Sequence, residues 1–243
     1  MFRINVEEKL YVDKLLELTK EDSHYICKVL RLTKGDNIKV FNEAGEFLSS
    51  VISVDKKTVS LKILSKCETS EVEPQTDVVL AFGYLKGDKN ELVVQKATEL
   101  GVNHIWPVIT DRTVAKMDDK KIAKKVERLQ KISKEATEQC GRLKVPNIKI
   151  FKGLTSFCDE IDAKDSLIIP WEKEKKASLD PCKIKTKGRL ILFIGPEGGI
   201  AGEEIQRFKS HHTISLGKRI LRAETAAISA TTVVMYALGE LGG

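Results

Sequence analysis

The stretch Phe193 to Ile205, FIGPEGGIAGEEI, decides how the rest of the chain is read. An apolar run, Arg189 to Ile194 (RLILFI), leads straight into Gly195, Pro196, Glu197, Gly198 and Gly199, and a helix-like segment follows. A buried strand that ends in glycines lets the main chain approach a ligand closely, and open α/β sheets bind ligands at that carboxyl edge. The plainer alternative is a tight turn that caps the next helix. Two nucleotide patterns fail outright. A Walker A loop requires Gly-Lys followed by Ser or Thr, which occurs nowhere in the chain, and the dinucleotide fingerprint requires a glycine where Glu197 stands.

The 243 residues suffice for a sizeable core, in one large domain or two smaller ones. Hydrophobic residues make up 42% and charged ones 31%, the balance of an ordinary soluble chain. No run approaches the ~18 apolar residues of a membrane span, and Met1 to Glu8 lacks the apolar stretch of a secretion signal. A cytoplasmic protein with no membrane partner is therefore expected. Cys27, Cys67, Cys140, Cys158 and Cys182 show no C-x-x-C spacing, and the histidines complete no zinc pattern. Reduced, mostly buried thiols and no metal are the expectation. The net charge of +6 leans toward a nucleic-acid partner without deciding the matter.

From Gly35 to about Leu64 the chain alternates apolar and polar residues in short runs: NIKVF (Asn37 to Phe41), EFLSSVISV (Glu46 to Val54) and TVSLKIL (Thr58 to Leu64). Tight turns separate them, so a small antiparallel barrel or sandwich is predicted. A short helix over Glu21 to Arg31 precedes it, with Ile26, Val29 and Leu30 on one face. Cys67 to Thr76 is polar, contains a proline and reads as a linker.

Beyond the linker the rhythm becomes strand, helix, strand. Strands are predicted at Asp77 to Leu85, His104 to Ile109, Asn147 to Phe151, Ser166 to Pro170, Arg189 to Gly195 and Thr213 to Gly217. Helices are predicted at about Asn90 to Leu100, Asp118 to Cys140 and Glu224 to Leu241. Short apolar strands alternating with helices indicate a mostly parallel sheet covered on both faces. In the long helix Ile122, Val126, Leu129 and Ile132 keep helical spacing, while Lys120, Lys121, Lys124, Lys125, Arg128, Lys131 and Lys134 fill the remainder. That basic side is either a solvated face or a contact for phosphates.

A second strand end marked by glycine follows the first. SLGKRILRAETAA, Ser215 to Ala227, leaves a strand at Gly217, crosses a basic stretch and enters the last helix. Two such loops so close together predict one shared pocket. FIGPEGGIAGEE together with SLGKRILRAETAAISA closely resembles the paired motifs of the SPOUT class of knotted S-adenosylmethionine-dependent methyltransferases. Within that class the resemblance is to the bacterial 16S ribosomal RNA uridine-N3 methyltransferases. FRINV at the start, HYICKVLRLTKGDNI (His24 to Ile38), QKATELGVNHIWPVITDRTV (Gln95 to Val114) and KEATEQCGRLKVPNI (Lys134 to Ile148) also have family counterparts. Ile200, Ala201 and Ala223 depart from the family's usual residues.

The resemblance implies an α/β chain with residues 1–72 as a small PUA-like β-barrel that binds RNA. Residues 73–243 would form a SPOUT methyltransferase domain with a C-terminal trefoil knot. It implies a homodimer acting on ribosomal RNA, within the small ribosomal subunit, in ribosome biogenesis. S-adenosyl-L-methionine would lie against Pro170 and Trp171, against Ile194, Gly195, Pro196, Glu197, Gly198 and Gly199, and against Ser215, Leu216, Gly217, Ile220 and Leu221. Trp171 either stacks on that ligand or packs in the core.

Methylation at uracil N3 requires loss of a proton and stabilisation of the resulting negative charge. Arg222 is expected to supply the cation, with a salt bridge to Glu224 or Glu197 as its alternative role. Glu197 is the leading carboxylate, either as base or as an acceptor that fixes its loop. By family likeness Arg3, Arg31, Arg112 and Arg142 are assigned to RNA contact and Gln139 to the pocket rim on the RNA side, with ordinary surface ion pairs as the alternative for each arginine. Two other functions remain open on sequence: a related SPOUT enzyme acting on transfer RNA or a ribose 2′-hydroxyl, and a non-catalytic RNA-binding assembly factor.

Overall fold

A computed structural model describes residues 1–55, 58–68, 72–110, 117–177, 179 and 186–242. The chain divides into two compact units, Met1–Glu73 with Thr137–Lys144, and Pro74–Ala136 with Val145–Gly243.

The first unit is built on a five-stranded sheet in the order β1 (Arg3–Asn5), β3 (Asn37–Asn42), β4 (Gly45–Val54), β5 (Val59–Lys66), β2 (Leu15–Glu17). β3, β4, β5 and β2 pair antiparallel, and β1 joins β3 in parallel. Alternation drives this arrangement: Val59, Leu61 and Ile63 of β5 point inward with Ile38, Val40 and Val51, and all are essentially inaccessible to water. The expected helix starts on time as α1 (Lys20–His24), with the Thr19 hydroxyl accepting the Asp22 N–H at 3.1 Å.

It then widens into a π-helical turn over Tyr25–Leu30 and stops at Arg31, whose φ of 56° is left-handed. The wider turn rotates the side chains relative to α-helical spacing. Ile26 is buried, whereas Val29, expected on the same face, is 60% exposed. Strands β1 and β2 escape pattern reading because three residues are too few to show a period.

The segment Thr137–Lys144 belongs with this unit because of specific bonds. The Arg3 guanidinium donates to the carbonyls of Thr137, Glu138, Gly141 and Arg142 at 3.0–3.1 Å, groups left unpaired where a helix ends. The Asn5 N–H donates to the Glu138 carboxylate at 3.0 Å.

The second unit holds a six-stranded sheet in which every pairing is parallel. Its order is β11 (His212–Ile214), β9 (Ser166–Pro170), β10 (Leu190–Ile194), β6 (Val78–Gly83), β7 (His104–Val108), β8 (Asn147–Ile148). Both faces are buried. Val78, Leu80, Phe82, Leu190, Leu192 and Ile194 pack in one core with α2 (Lys89–Glu99), α3 (Asp119–Cys140) and α6 (Ala223–Ala237). Val79, Ala81, Ile191 and Phe193 face the other, closed by Phe157 of α4 (Leu154–Glu160) and Ile205 of α5 (Gly202–Ile205). The sheet is therefore a continuous apolar layer, which explains why its strands read as unbroken hydrophobic runs.

Among the described residues no helix is long and apolar enough to cross a membrane. Cys27, Cys67, Cys140 and Cys158 are free thiols, half-buried where mostly buried ones were expected; Cys27 and Cys158 sit at the margin of a core. Cys182 lies outside the described residues.

Candidate functional site

Because all six strands run the same way, the carboxyl ends of β9, β10 and β11 lie along one edge, and the three loops that leave them converge there. Between them is a cleft of about 620 Å³. Pro170, Trp171 and Glu172 line it from the first loop, Ile194 to Ile200 from the second, and Ser215 to Ala223 with Ala226 from the third. The segments that sequence reading assigned to one pocket are thus brought together: Pro170, Trp171, Ile194, Gly195, Pro196, Glu197, Gly198, Gly199, Ser215, Leu216, Gly217, Ile220, Leu221 and Arg222 all line this cleft.

The second loop is built from close contacts. A Cβ at Gly195 would stand 2.5 Å from Ile200 Cγ1, so only glycine lets the loop fold back onto its own end. Gly199 has φ +69°, a conformation that disfavours any side chain. Ile200 is 4% exposed and plugs the core beneath the loop, while its carbonyl accepts the Trp171 indole N–H at 3.1 Å. Trp171 is therefore tied to the neighbouring loop, half-buried against the core, and still presents a face to the cleft. Ala201 offers no capping side chain, but its N–H donates to the Glu204 carboxylate at 2.7 Å, and this holds the start of α5.

In the third loop the Gly217 N–H donates to the Ser215 hydroxyl at 3.2 Å, and Gly217 turns the chain at φ +108°. Ile220 beyond it is 89% exposed, an apolar side chain held at the mouth of the cleft. Arg222 is the N-cap residue of α6 and exposed; its carbonyl accepts the Ala226 N–H at 2.8 Å, while its side chain makes no ion pair or hydrogen bond among the described residues.

The carboxylates expected to pair with Arg222 are engaged by another cation. Lys89, the first residue of α2, lines the cleft with its Nζ 3.6 Å from Glu197 Oε1 and 3.4 Å from Glu224 Oε2. Glu197 Oε1 also accepts the Lys86 N–H at 3.1 Å. Partial burial pushes the Glu197 pKa up, but the backbone N–H groups of Lys86 and Glu197 and the charge of Lys89 outweigh it, and the net shift is downward. Glu224 Oε2 is buried and accepts no hydrogen bond, so its contact with Lys89 is a charge pair out of hydrogen-bond alignment. Sequence reading did not single out Lys89. The available signal was its place in the first turn after β6, the strand next to β10.

The remaining site candidates lie elsewhere. Arg3 spends all five donors inside the first unit: besides the four carbonyls, its Nε lies 2.5 Å from Glu46 Oε1, and its guanidinium stacks 4.2 Å from the centre of the Phe41 ring. Arg142 is 3% exposed and donates to Glu73 Oε2 at 2.8 Å and 3.2 Å. Both therefore serve the architecture of that unit: every donor of Arg3 is engaged within it, and almost no surface of Arg142 is exposed. Arg31 is exposed at the end of the π turn, and Gln139 is exposed on the last turn of α3; neither lines the cleft. Arg112 falls outside the described residues.

Comparison with known proteins places this geometry. A family model described as RNA methyltransferase domain matches residues 72–235, and one described as RNA methyltransferase PUA domain matches residues 18–64. The ribosomal RNA small subunit methyltransferase E of Bacillus subtilis is 34% identical over 218 residues, covering 86% of this chain and 85% of that protein. A crystal structure of the enzyme of that name from Neisseria gonorrhoeae, bound to S-adenosyl methionine, superposes with a TM-score of 0.85 at 29% identity, covering 97% of both chains. A Legionella pneumophila protein solved with bound SAM superposes with a TM-score of 0.87 at 35% identity over 97% of both chains. With its parallel sheet, its small N-terminal sheet and these matches over most of its length, the chain belongs to the ribosomal RNA small subunit methyltransferase E family of SPOUT RNA methyltransferases.

Proposed function

We propose that this chain transfers a methyl group from S-adenosylmethionine to N3 of a uridine in the 16S RNA of the small ribosomal subunit. The observation that carries the proposal is the single cleft formed by three strand-end loops at the sheet's carboxyl edge. Its volume of about 620 Å³ falls in the range of roughly 300–1,000 Å³ typical of small-ligand sites.

The residues fit that donor. The glycine loops line the cleft, where main-chain groups can read an adenine edge, while Trp171, Leu216, Ile220 and Leu221 supply apolar cover. When bound, S-adenosylmethionine supplies an activated methyl group on a sulfonium. The protein's part is placement of the base and management of charge. Arg222, exposed at the cleft and without a partner among the described residues, is assigned the cationic role next to the uracil oxygens. Glu197 is assigned to positioning: its lowered pKa makes it a weak proton acceptor, and its Oε1 is already engaged by Lys86 and Lys89.

The proposal includes RNA binding by the N-terminal unit, a threaded C-terminal segment, a cytoplasmic setting and a homodimer. Val233 and Tyr236 on α6, 45% and 68% exposed, favour burial against a second copy. Met235 on the same helix is 1% exposed and belongs to the core.

The deciding experiment incubates the protein with methyl-labelled S-adenosylmethionine and small subunits from a strain lacking this activity, then digests the RNA to nucleosides. Labelled 3-methyluridine is expected. Label on a ribose 2′-oxygen, or on transfer RNA alone, overturns the assignment of the target atom. Absence of donor binding by calorimetry overturns catalysis altogether.

A further inference from the structure

We propose that the exposed side of α3 is a phosphate-binding surface that holds the RNA substrate outside the cleft; this rests on the reading of the chain as a ribosomal RNA methyltransferase. Ile122 and Leu129 are buried, and Val126 and Ile132 pack partly against the same core, so one face of the helix is fixed inward. At ~100° per residue, Lys120, Lys121, Lys124, Lys125, Arg128 and Lys131 then fall within an arc of about 140° on the side away from that core. Lys125 is half-buried and the other five are exposed.

A merely solvated helix face intersperses opposite charges at i,i+4 spacing. Over residues 120–128 this one does the reverse, and opposite charges at i,i+4, Glu127 with Lys131 and Lys131 with Glu135, enter only in the turns that follow. Lys120 and Lys124, Lys121 and Lys125, and Lys124 and Arg128 are like-charged i,i+4 neighbours, an arrangement that disfavours the helix until anions are brought to it. Acidic groups are few along it: Asp118 lies 3.9 Å from Lys121 at the N-terminal end, Glu127 stands about 20° outside the arc, and Glu135 follows Lys131 by one turn within it. Ile132, the apolar residue within the arc's angular range, is half-buried and packs against the core, so the arc offers no exposed apolar side chain to a lipid surface.

The arc is joined to the cleft. Arg128 grips Glu91 of α2 with two bonds, Nε to Oε1 at 2.7 Å and a terminal nitrogen to Oε2 at 2.9 Å. Glu91 is in the same first turn of α2 as Lys89, which lines the cleft. A strand of RNA with its target base in the cleft therefore meets, one helix away, a row of cations at a spacing suited to successive phosphates.

The test replaces Lys120, Lys121, Lys124 and Lys131 by glutamine in the full chain and compares RNA binding across salt concentrations, steady-state methyl transfer and donor affinity. We expect the slope of log affinity against log salt to become shallower by about 3, from four lost contacts at ~0.7–0.9 each. KM for the small subunit should rise about tenfold or more, with kcat and the donor Kd within twofold. An RNA affinity and salt slope within error of the parent chain overturn the proposal, as does loss of binding to anionic vesicles with RNA binding intact. Should the fourfold variant melt early, Lys120→Gln with Lys124→Gln gives the same reading at half the slope change. A parent chain that binds RNA through these lysines yet methylates none refutes the catalytic reading and leaves the surface standing.

Discussion

Lys89 Nζ stands 3.6 Å from Glu197 Oε1, and the same nitrogen reaches Glu224 Oε2 at 3.4 Å, so one cation links the second cleft loop to the start of α6. Removing it leaves two carboxylates facing each other, one of them with a buried oxygen that accepts no hydrogen bond. Lys89→Met should therefore loosen the loop that faces the donor and raise its Kd about tenfold, ~1.4 kcal/mol. Calorimetry checks this, and Lys89→Arg should recover most of the loss. A donor affinity unchanged in the methionine variant would show that the link has no bearing on the cleft.

Gly195 gives a sharper test of how the loop is built. A methyl group there would collide with Ile200 Cγ1 at 2.5 Å, and Ile200 is pinned in the core. Gly195→Ala should cost about 1–3 kcal/mol through overpacking and displace the loop. Thermal melting and donor titration measure both effects. Combining it with Ile200→Ala removes the opposing atom, so the double variant should be more stable than the sum of the two singles predicts.

How much of this was legible beforehand depended on length and period. β6, β10 and α3 are long enough for an apolar run or a 3.6-residue repeat to show, and the structure places them within a residue or two of the sequence expectation. β1, β2 and α5 are three or four residues long, too short for a period to show. The cleft was legible because its glycines cluster at two strand ends close together in sequence. Lys89 was not, because it reaches the site across two adjacent strands more than a hundred residues apart in sequence. The bonds of Arg3 and Arg142 were not legible for a related reason: a sequence motif cannot distinguish an arginine that meets RNA from one engaged by carbonyls and carboxylates of its own chain.

Acid should unfold this protein through identifiable carboxylates. Asp165 has a side chain only 2% exposed; burial pushes its pKa up, but the Arg189 guanidinium and the N–H groups of Arg189 and Asp162 outweigh that and lower it. Glu46 and Glu73 follow the same pattern, with burial opposed by Lys39 and Arg3 in one case and by Arg142 in the other. A lowered folded-state pKa contributes stability that is full above the unfolded value and is lost as pH falls through the folded one. Stability should therefore hold near neutrality and decline below about pH 4. Asp165→Asn should cost about 1.5–3 kcal/mol at pH 7 and flatten that decline, which denaturant titrations at several pH values would reveal. An unchanged acid slope in the variant would remove Asp165 from the account.

Arg222 separates catalysis from architecture. It caps α6 by backbone alone, is exposed at the cleft, and its side chain makes no ion pair or hydrogen bond among the described residues, so nothing in the fold depends on its charge. Arg222→Ala should change stability by no more than about 0.5 kcal/mol, as for surface substitutions generally. If the guanidinium stabilises negative charge on the base as the proton leaves, its loss should lower kcat by about 10²–10³, the scale of removing one preorganised donor, with donor Kd within a few-fold. Arg222→Lys keeps the charge but not the planar fork, so it should recover only part of the rate. Single-turnover methyl transfer with saturating subunits isolates that step. A variant that loses donor binding or melts early would place Arg222 in the scaffold, and one that keeps its rate would move the cationic role to Lys218 or Arg219 on the same loop.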